Sequence, residues 1–194
     1  HTLVKSISDH WSYGYYFFLR NSTFSNIQNS FRYIPAIEYN IFPYKDVNNK
    51  YFAIGYGLDL RHNNYYEETI YNKMNENLMG HSARIVSSFN QKWGTLSSSI
   101  YYDAFFHDLK QMSLEINIQA DVRLTGNLSF WAFAFGGLTR NQVFIPKGGT
   151  SVEDVLSRRR QLASGYNFGA YFGISYRFGS MLNNFVNPRF TDNF

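Results

Sequence analysis

Tyr166 to Phe178 reads YNFGAYFGISYRF. Tyr166, Phe168, Ala170, Phe172, Ile174, Tyr176 and Phe178 are apolar or aromatic, while Asn167, Gly169, Gly173, Ser175 and Arg177 between them are small or polar. A period of two marks a strand whose two faces meet different surroundings. The run outlasts the roughly 5 to 6 residues of an ordinary soluble strand and approaches the length with which a tilted strand crosses a bilayer. Rings begin and end the apolar face, as expected at two membrane interfaces, and the other face is polar enough to line a lumen.

The pattern recurs along the chain. Phe31 to Phe42 sets Phe31, Tyr33, Pro35, Ile37, Tyr39 and Ile41 against Arg32, Ala36, Glu38 and Asn40, with a bulge or irregularity expected at Pro35, which lacks a ladder donor. Tyr51 to Arg61 sets Phe52, Ile54, Tyr56, Leu58 and Leu60 against Ala53, Gly55, Gly57, Asp59 and Arg61. Met112 to Leu124 alternates without a fault, which excludes a helix there. His81 to Trp93 and Leu96 to Phe106 read as further strands. Trp11 to Arg20 is apolar on both faces near Tyr15 to Leu19, so its register stays open. Leu128 to Thr139 offers rings at both parities and its orientation stays unassigned.

Composition agrees with a sheet-rich chain and narrows the function classes. The 194 residues fit one domain, and 20% of them are aromatic against 16% charged. No stretch approaches the ~18 continuous apolar residues of a spanning helix, which has no bearing on a barrel. The net charge of +4 is scattered, Arg158 to Arg160 being the only tight cluster, so nucleic-acid binding is a poor reading. Without cysteine, neither disulfides nor thiolate metal sites hold the fold. A start at His1 without a basic and apolar leader suggests a processed or truncated chain.

Short connections near 7–10, 43–50, 93–95 and 125–127 alternate with connections at 21–30, 62–80, 108–111 and 141–165, three of them long. Short turns on one side and long loops on the other suit an outer-membrane barrel with a periplasmic short side. The expected fold is therefore all-β, an antiparallel transmembrane β-barrel with eight strands visible, or ten or more in a longer protein. Residues 1–10 would end a preceding strand, 11–178 would form the barrel, and 179–194 would be a periplasmic tail. Ser151 would cap a short helix from Val152 to Leu162 in the last long loop. If Trp11 to Arg20 pairs with Tyr166 to Phe178, the barrel closes at eight strands.

Glu38, Asp59, Arg61, Arg84, Asp103, Glu115, Asp121, Arg123 and Arg177 fall on the polar faces and form the expected lumen network, as charges there need partners. A solute path is the alternative use of the same residues. His81 with Ser82, and Asp103 with His107, are the only pairs that suggest hydrolysis, and neither supplies nucleophile, base and orienting group together. No metal or cofactor is expected from any His, Asp or Glu spacing. Tyr65, Tyr66, Arg158, Arg159 and Arg160 lie in loops and are candidate partner contacts, since Tyr and Arg are frequent interface anchors.

The segments GSMLNNFVNPRF, IPKGG, RRRQLASGYNFG, EYNIFPY and EETIYNKMNENLMGH resemble poorly characterised outer-membrane β-barrel proteins of the Bacteroidota type. That resemblance implies a cell outer-membrane location and carries no active site onto numbered residues. The expected function is a non-enzymatic structural or accessory component of an envelope assembly, with a small channel or an outer-membrane hydrolase as rivals. Expected partners are outer-membrane lipid and lipopolysaccharide, with another envelope protein or a surface glycan as further candidates.

Overall fold

A computed structural model describes residues 1–148 and 165–178. Among the described residues nine antiparallel strands follow one another in chain order: β1 (Thr2–Ser6), β2 (Trp11–Ser22), β3 (Ile27–Asn40), β4 (Lys50–Tyr65), β5 (Asn75–Gln91), β6 (Gly94–Phe105), β7 (Asp108–Arg123), β8 (Leu128–Thr139) and β9 (Tyr166–Tyr176). Each is paired to its sequence neighbour, so the sheet is a meander. Several strands run into stretches whose polarity suggested loops: β4 continues to Tyr65, β5 begins at Asn75, and β7 takes in Asp108 to Gln111. Backbone pairing holds these polar residues in the ladder, for example His62 opposite Asn77 and Asn64 opposite Asn75.

The expected closed barrel is not what these strands form. β1 and β9 stand at the two ends of the strand order, and the sheet is open. Closure at eight strands would require β2 to pair with β9, but β1 occupies that edge of β2, with Thr2 opposite Tyr16 and Ser6 opposite Ser12. A strand has two edges: β3 takes one edge of β2, and β1 takes the other from Ser12 to Tyr16. The transmembrane barrel was read from alternation and aromatic ends, its periplasmic side from the loop lengths and its outer-membrane location from the resemblance; each requires a closed barrel, and the open sheet among the described residues overturns them. No helix among the described residues is long and apolar enough to cross a membrane. The expected helix at 152–162 and the tail at 179–194 lie outside the described residues.

The sheet coils most tightly over β2 to β6, where its core lies. The Arg84 guanidinium on β5 sits 5.7 Å from the Tyr16 ring on β2, and that of Arg61 on β4 lies 5.4 Å from the Phe105 ring on β6. Leu78, Phe105 and Val143 form a buried apolar cluster at one end. Beside it two loops are stitched together: Thr69 bridges to Pro146, Ile70 N–H donates to the Ile145 carbonyl at 2.9 Å, and both Thr69 and Ile70 are buried. Pro35 interrupts the ladder to β4, yet Tyr33–Leu60 and Ala36–Gly57 keep one register, so no bulge forms there. Trp131, Phe133 and Phe135 on β8 pair with Asp121, Gln119 and Asn117, which puts these rings on the polar, concave side.

Gly94 opens β6 directly after the turn from β5 with φ of +147°, and a Cβ there would come within 1.9 Å of the Asp121 carbonyl oxygen. Both the backbone conformation and the neighbouring strand exclude a side chain. Gly94→Ala is expected to lower the free energy of unfolding by about 2 kcal/mol or more. A denaturant titration followed by circular dichroism would show this as a lower midpoint, and an unchanged midpoint would contradict the tight β6–β7 start.

Candidate functional site

The polar side chains of β3 to β6 converge on the concave face because each strand alternates and the registers align. Glu38, Gly55 and Arg84 are directly opposite one another in a row across β3, β4 and β5. Gly55 leaves the middle of that row empty, and a Cβ there would come within 2.8 Å of Arg84 Nε. Arg84 therefore lies across β4 and forms a salt bridge with Glu38. Burial works against the charge on Arg84, but Glu38 outweighs it and holds the guanidinium above its ordinary range. Tyr44 and Tyr51 direct their hydroxyls at the other Glu38 oxygen, at 3.5 and 3.4 Å. Burial first, and the Glu38 charge second, push the Tyr51 hydroxyl up to about 12.

A second group lies six residues further along β3 and β4, toward the opposite end of the sheet. Arg32 and Arg61 are direct cross-strand neighbours of like charge, an arrangement that destabilises a sheet when nothing offsets it. Asp59 offsets it. Its carboxylate is almost fully buried, accepts from Arg32 Nε at 3.0 Å and Nη2 at 2.6 Å, and from Arg61 Nη2 at 2.8 Å. Burial alone would raise its pKa, but the two guanidiniums prevail and hold the carboxyl below the usual range. Asp103 on β6 faces the same space and accepts from Asn141 Nδ2 at 2.6 Å. There burial prevails over Arg32 and Arg61, and the carboxyl is pushed up.

These two groups border a hollow of about 240 Å³ whose walls include Ser12, Tyr16, Arg32, Glu38, Arg84 and Asp103. Of the nine residues expected to form a network, the structure brings together Glu38, Asp59, Arg61, Arg84 and Asp103. Glu115 instead accepts from Asn117 at 2.9 Å on its own strand. Asp121, Arg123 and Arg177 are exposed and form no salt bridge among the described residues. Arg32 was missed as a member, although its parity with Glu38 places it on the polar face. Tyr16 and Asn141 were missed because one lies in a run apolar on both faces and the other in a loop.

The pairs considered for hydrolysis are not assembled. His81 is on the convex side, its Nδ1 3.3 Å from the Tyr56 hydroxyl, while Ser82 points to the concave side. His107 stacks on Phe105 at 5.6 Å, and no hydrogen bond joins it to Asp103 among the described residues. No group of three His, Asp or Glu side chains is placed to hold a metal ion among the described residues. Of the candidate partner contacts, Tyr65 is buried and donates to Glu76, whereas Tyr66 is 43% exposed with Asn21 3.2 Å from its hydroxyl. Arg158, Arg159 and Arg160 lie outside the described residues.

Comparison with protein-family models, with curated proteins and with solved structures finds no match. The resemblance to Bacteroidota outer-membrane barrels is thereby corrected on two grounds. No comparison supports it, and the open sheet differs from the fold it implies.

Asp59 and Asp103 give opposite pH dependences. Asp59 has a depressed folded pKa, so its contribution is complete above about pH 4 and lost as pH falls through the folded value. Asp103 has a raised folded pKa, so its charge opposes folding at neutral pH, and this opposition is relieved as pH falls toward about 4. Asp59→Asn is expected to lose about 3 kcal/mol at pH 7, with the deficit shrinking below about pH 4. Asp103→Asn should match or exceed the native chain at pH 7 and lose that advantage on acidification. Urea unfolding at a series of pH values would measure both, and a deficit for Asp59→Asn that grew in acid would contradict the assignment.

Proposed function

We propose that the protein is a non-enzymatic scaffold whose convex face is covered by lipid acyl chains. The observation that carries this reading is a charge-free apolar band. On the face opposite the ion pairs, the outward positions from Trp11 to Leu19, Phe31 to Ile41, Phe52 to Leu60 and Met79 to Phe89 contain no Asp, Glu, Lys or Arg. The band continues over Leu96 to Ala104, Met112 to Val122, Leu128 to Leu138 and Tyr166 to Tyr176. Its side chains are open: Ile37, Ile54, Leu58 and Ile118 are each 45 to 46% exposed.

A contiguous apolar surface across eight strands exceeds the few hundred Å² that a free monomer ordinarily leaves to water. A protein partner would have to follow the full curvature of the sheet, whereas acyl chains conform to any apolar surface. Two cations also suit this occupant. Lys50 stands at one end of the outward rows and Lys110 at the other, both exposed, where an aliphatic stem lies along the band and the ammonium reaches polar headgroups. The charges of the concave face bond to one another, which supports a structural use of that side and no catalytic one.

Flotation of the purified chain with phosphatidylcholine vesicles tests the reading. The native chain is expected to rise with the vesicles. Ile54→Glu and Ile118→Glu should each lower the bound fraction by about tenfold or more, because a carboxylate in an apolar contact costs at least ~1.4 kcal/mol. Asn167→Asp, on the concave side of β9, should leave flotation unchanged. A native chain that stays monodisperse without lipid or detergent, and remains at the bottom of the gradient, would overturn the proposal.

A further inference from the structure

We infer that β9 is a self-pairing edge, through which two copies of this chain join antiparallel about a two-fold axis at Tyr171. The first observation is which backbone groups are open. Arg177 N–H donates to the Asn127 carbonyl at 2.9 Å and Thr139 N–H to the Gly165 carbonyl at 2.8 Å. Those bonds place the odd-numbered residues of β9 in the ladder with β8, because bonding direction alternates with period two. The N–H and C=O groups of Tyr166, Phe168, Ala170, Phe172, Ile174 and Tyr176 therefore point away from β8, and no strand among the described residues meets them.

Ordinary edge strands are shortened, bulged, or guarded by charge or proline. β9 has eleven residues and none of these protections. No strand among the described residues flanks its apolar side chains on the far side from β8: Phe168 and Phe172 are 79% and 77% exposed, against 45% for Ile54 within the sheet.

The second observation names the occupant. About Tyr171, the sequence YNFGAYFGISY keeps its residue classes under reversal, apolar opposite apolar and small or polar opposite small or polar, with Tyr166 and Tyr176, and Gly169 and Gly173, identical. Antiparallel self-pairing at that centre sets Tyr166 opposite Tyr176, Phe168 opposite Ile174, Ala170 opposite Phe172, and Gly169 opposite Gly173. Aromatic and aliphatic partners meet on the convex side, a small residue faces a large one, and the two glycines meet on the concave side. The ring of Phe135 lies over Gly169 and that of Trp131 over Gly173, where a Cβ would meet them at 2.6 and 2.8 Å. Pairing in this register brings the two ring-covered glycines together and leaves the rings on either side of the seam. The pairs that must exchange hydrogen bonds, 166 with 176, 168 with 174 and 170 with 172, are the ones whose backbone groups are open. No charge lies on β9, so no like charges oppose in the pair. This inference does not depend on what covers the convex face.

The chain contains no cysteine, so a single introduced cysteine reports register directly. In the inferred dimer Tyr171 is opposite its own copy as a non-hydrogen-bonded pair about 4.5 Å apart between Cα atoms, within disulfide reach. Tyr171→Cys is expected to form a covalent dimer on mild oxidation. Phe168→Cys should not, because its two copies lie about 20 Å apart along the strands. Mixing Ala170→Cys with Phe172→Cys chains should cross-link the mixture and neither chain alone, which preserves the test if Tyr171→Cys fails to fold. Ala170→Pro removes an outward N–H from each copy while leaving the β8 ladder intact, and should weaken dimerisation about tenfold to a hundredfold by sedimentation. A native chain that stays monomeric throughout a dilution series, or cysteines at 168 that cross-link as readily as those at 171, would overturn the inference.

Discussion

The salt bridge between Glu38 and Arg84 reaches over an entire strand, and the curvature of the sheet depends on the space that allows it. Gly55, directly between them, contributes no side chain, so Arg84 crosses β4 on the concave side. A larger residue there would separate the pair and leave a carboxylate and a guanidinium partly buried without partners, a cost of several kcal/mol that favours a flatter sheet. Gly57 on the same strand plays a related part for an apolar contact, since its Cβ position lies 2.8 Å from Ile34 Cγ2. Small residues on β4 thus bring the neighbouring strands into contact across its concave side. The tight coil over β2 to β6 follows, and with it the burial of Asp59 and Ser12.

Beyond β6 the same alternation has a different outcome. Gln119, Asn117 and Glu115 on β7 face Phe133, Phe135 and Gly137 on β8, with no opposite charge to draw the strands inward. Asp121 and Arg123 on the same face of β7 are exposed. The concave face is therefore closed by its own ion pairs in the first half and open in the second. Closure of a barrel would need the end strands to meet, but β2 is already flanked by β1, and the strand left at the other end is β9. Strand number alone is a poor guide to closure, because it says nothing about which edges are already occupied.

That distinction separates what was legible in the sequence from what was not. Period-two alternation located the strands, and parity assigned Glu38, Asp59, Arg61 and Arg84 to one face, because side-chain direction in a strand is a local property. Polar strand ends such as His62 to Tyr65 and Asn75 to Gly80 looked like loops because their apolar content is low, while their pairing is made by the backbone, which composition does not report. The orientation of β8 could not be read because rings occur at both parities, and only the register with β7 places Trp131, Phe133 and Phe135 inward. Closure is a global arrangement that alternation does not report, and one edge pairing decided it, while the family and location implied by short segments found no support in any comparison. The hollow near Arg84 was legible only in part, since Tyr16 comes from β2, three strands away from β5, in a run apolar on both faces.

The division of charge between the two faces limits the kinds of recognition available to this molecule. Where the sheet curls, its guanidiniums and carboxylates are directed inward and bonded to one another: Arg32 and Arg61 to Asp59, Arg84 to Glu38. Charge that is already paired and partly desolvated has little to offer a partner, because a new bond would first have to break an old one. The convex face has no charge in its central band, and apolar contact there is strong but indifferent to direction. Backbone N–H and C=O groups on an open strand edge differ from both, since they are directional and spaced at fixed intervals. Any specificity in how this sheet associates must therefore come from register along an edge, where side-chain size and parity decide which residues can lie opposite each other. On an uncharged strand such as β9, a shift by one residue would turn every ring to the wrong face, and that penalty selects the partner where charge does not.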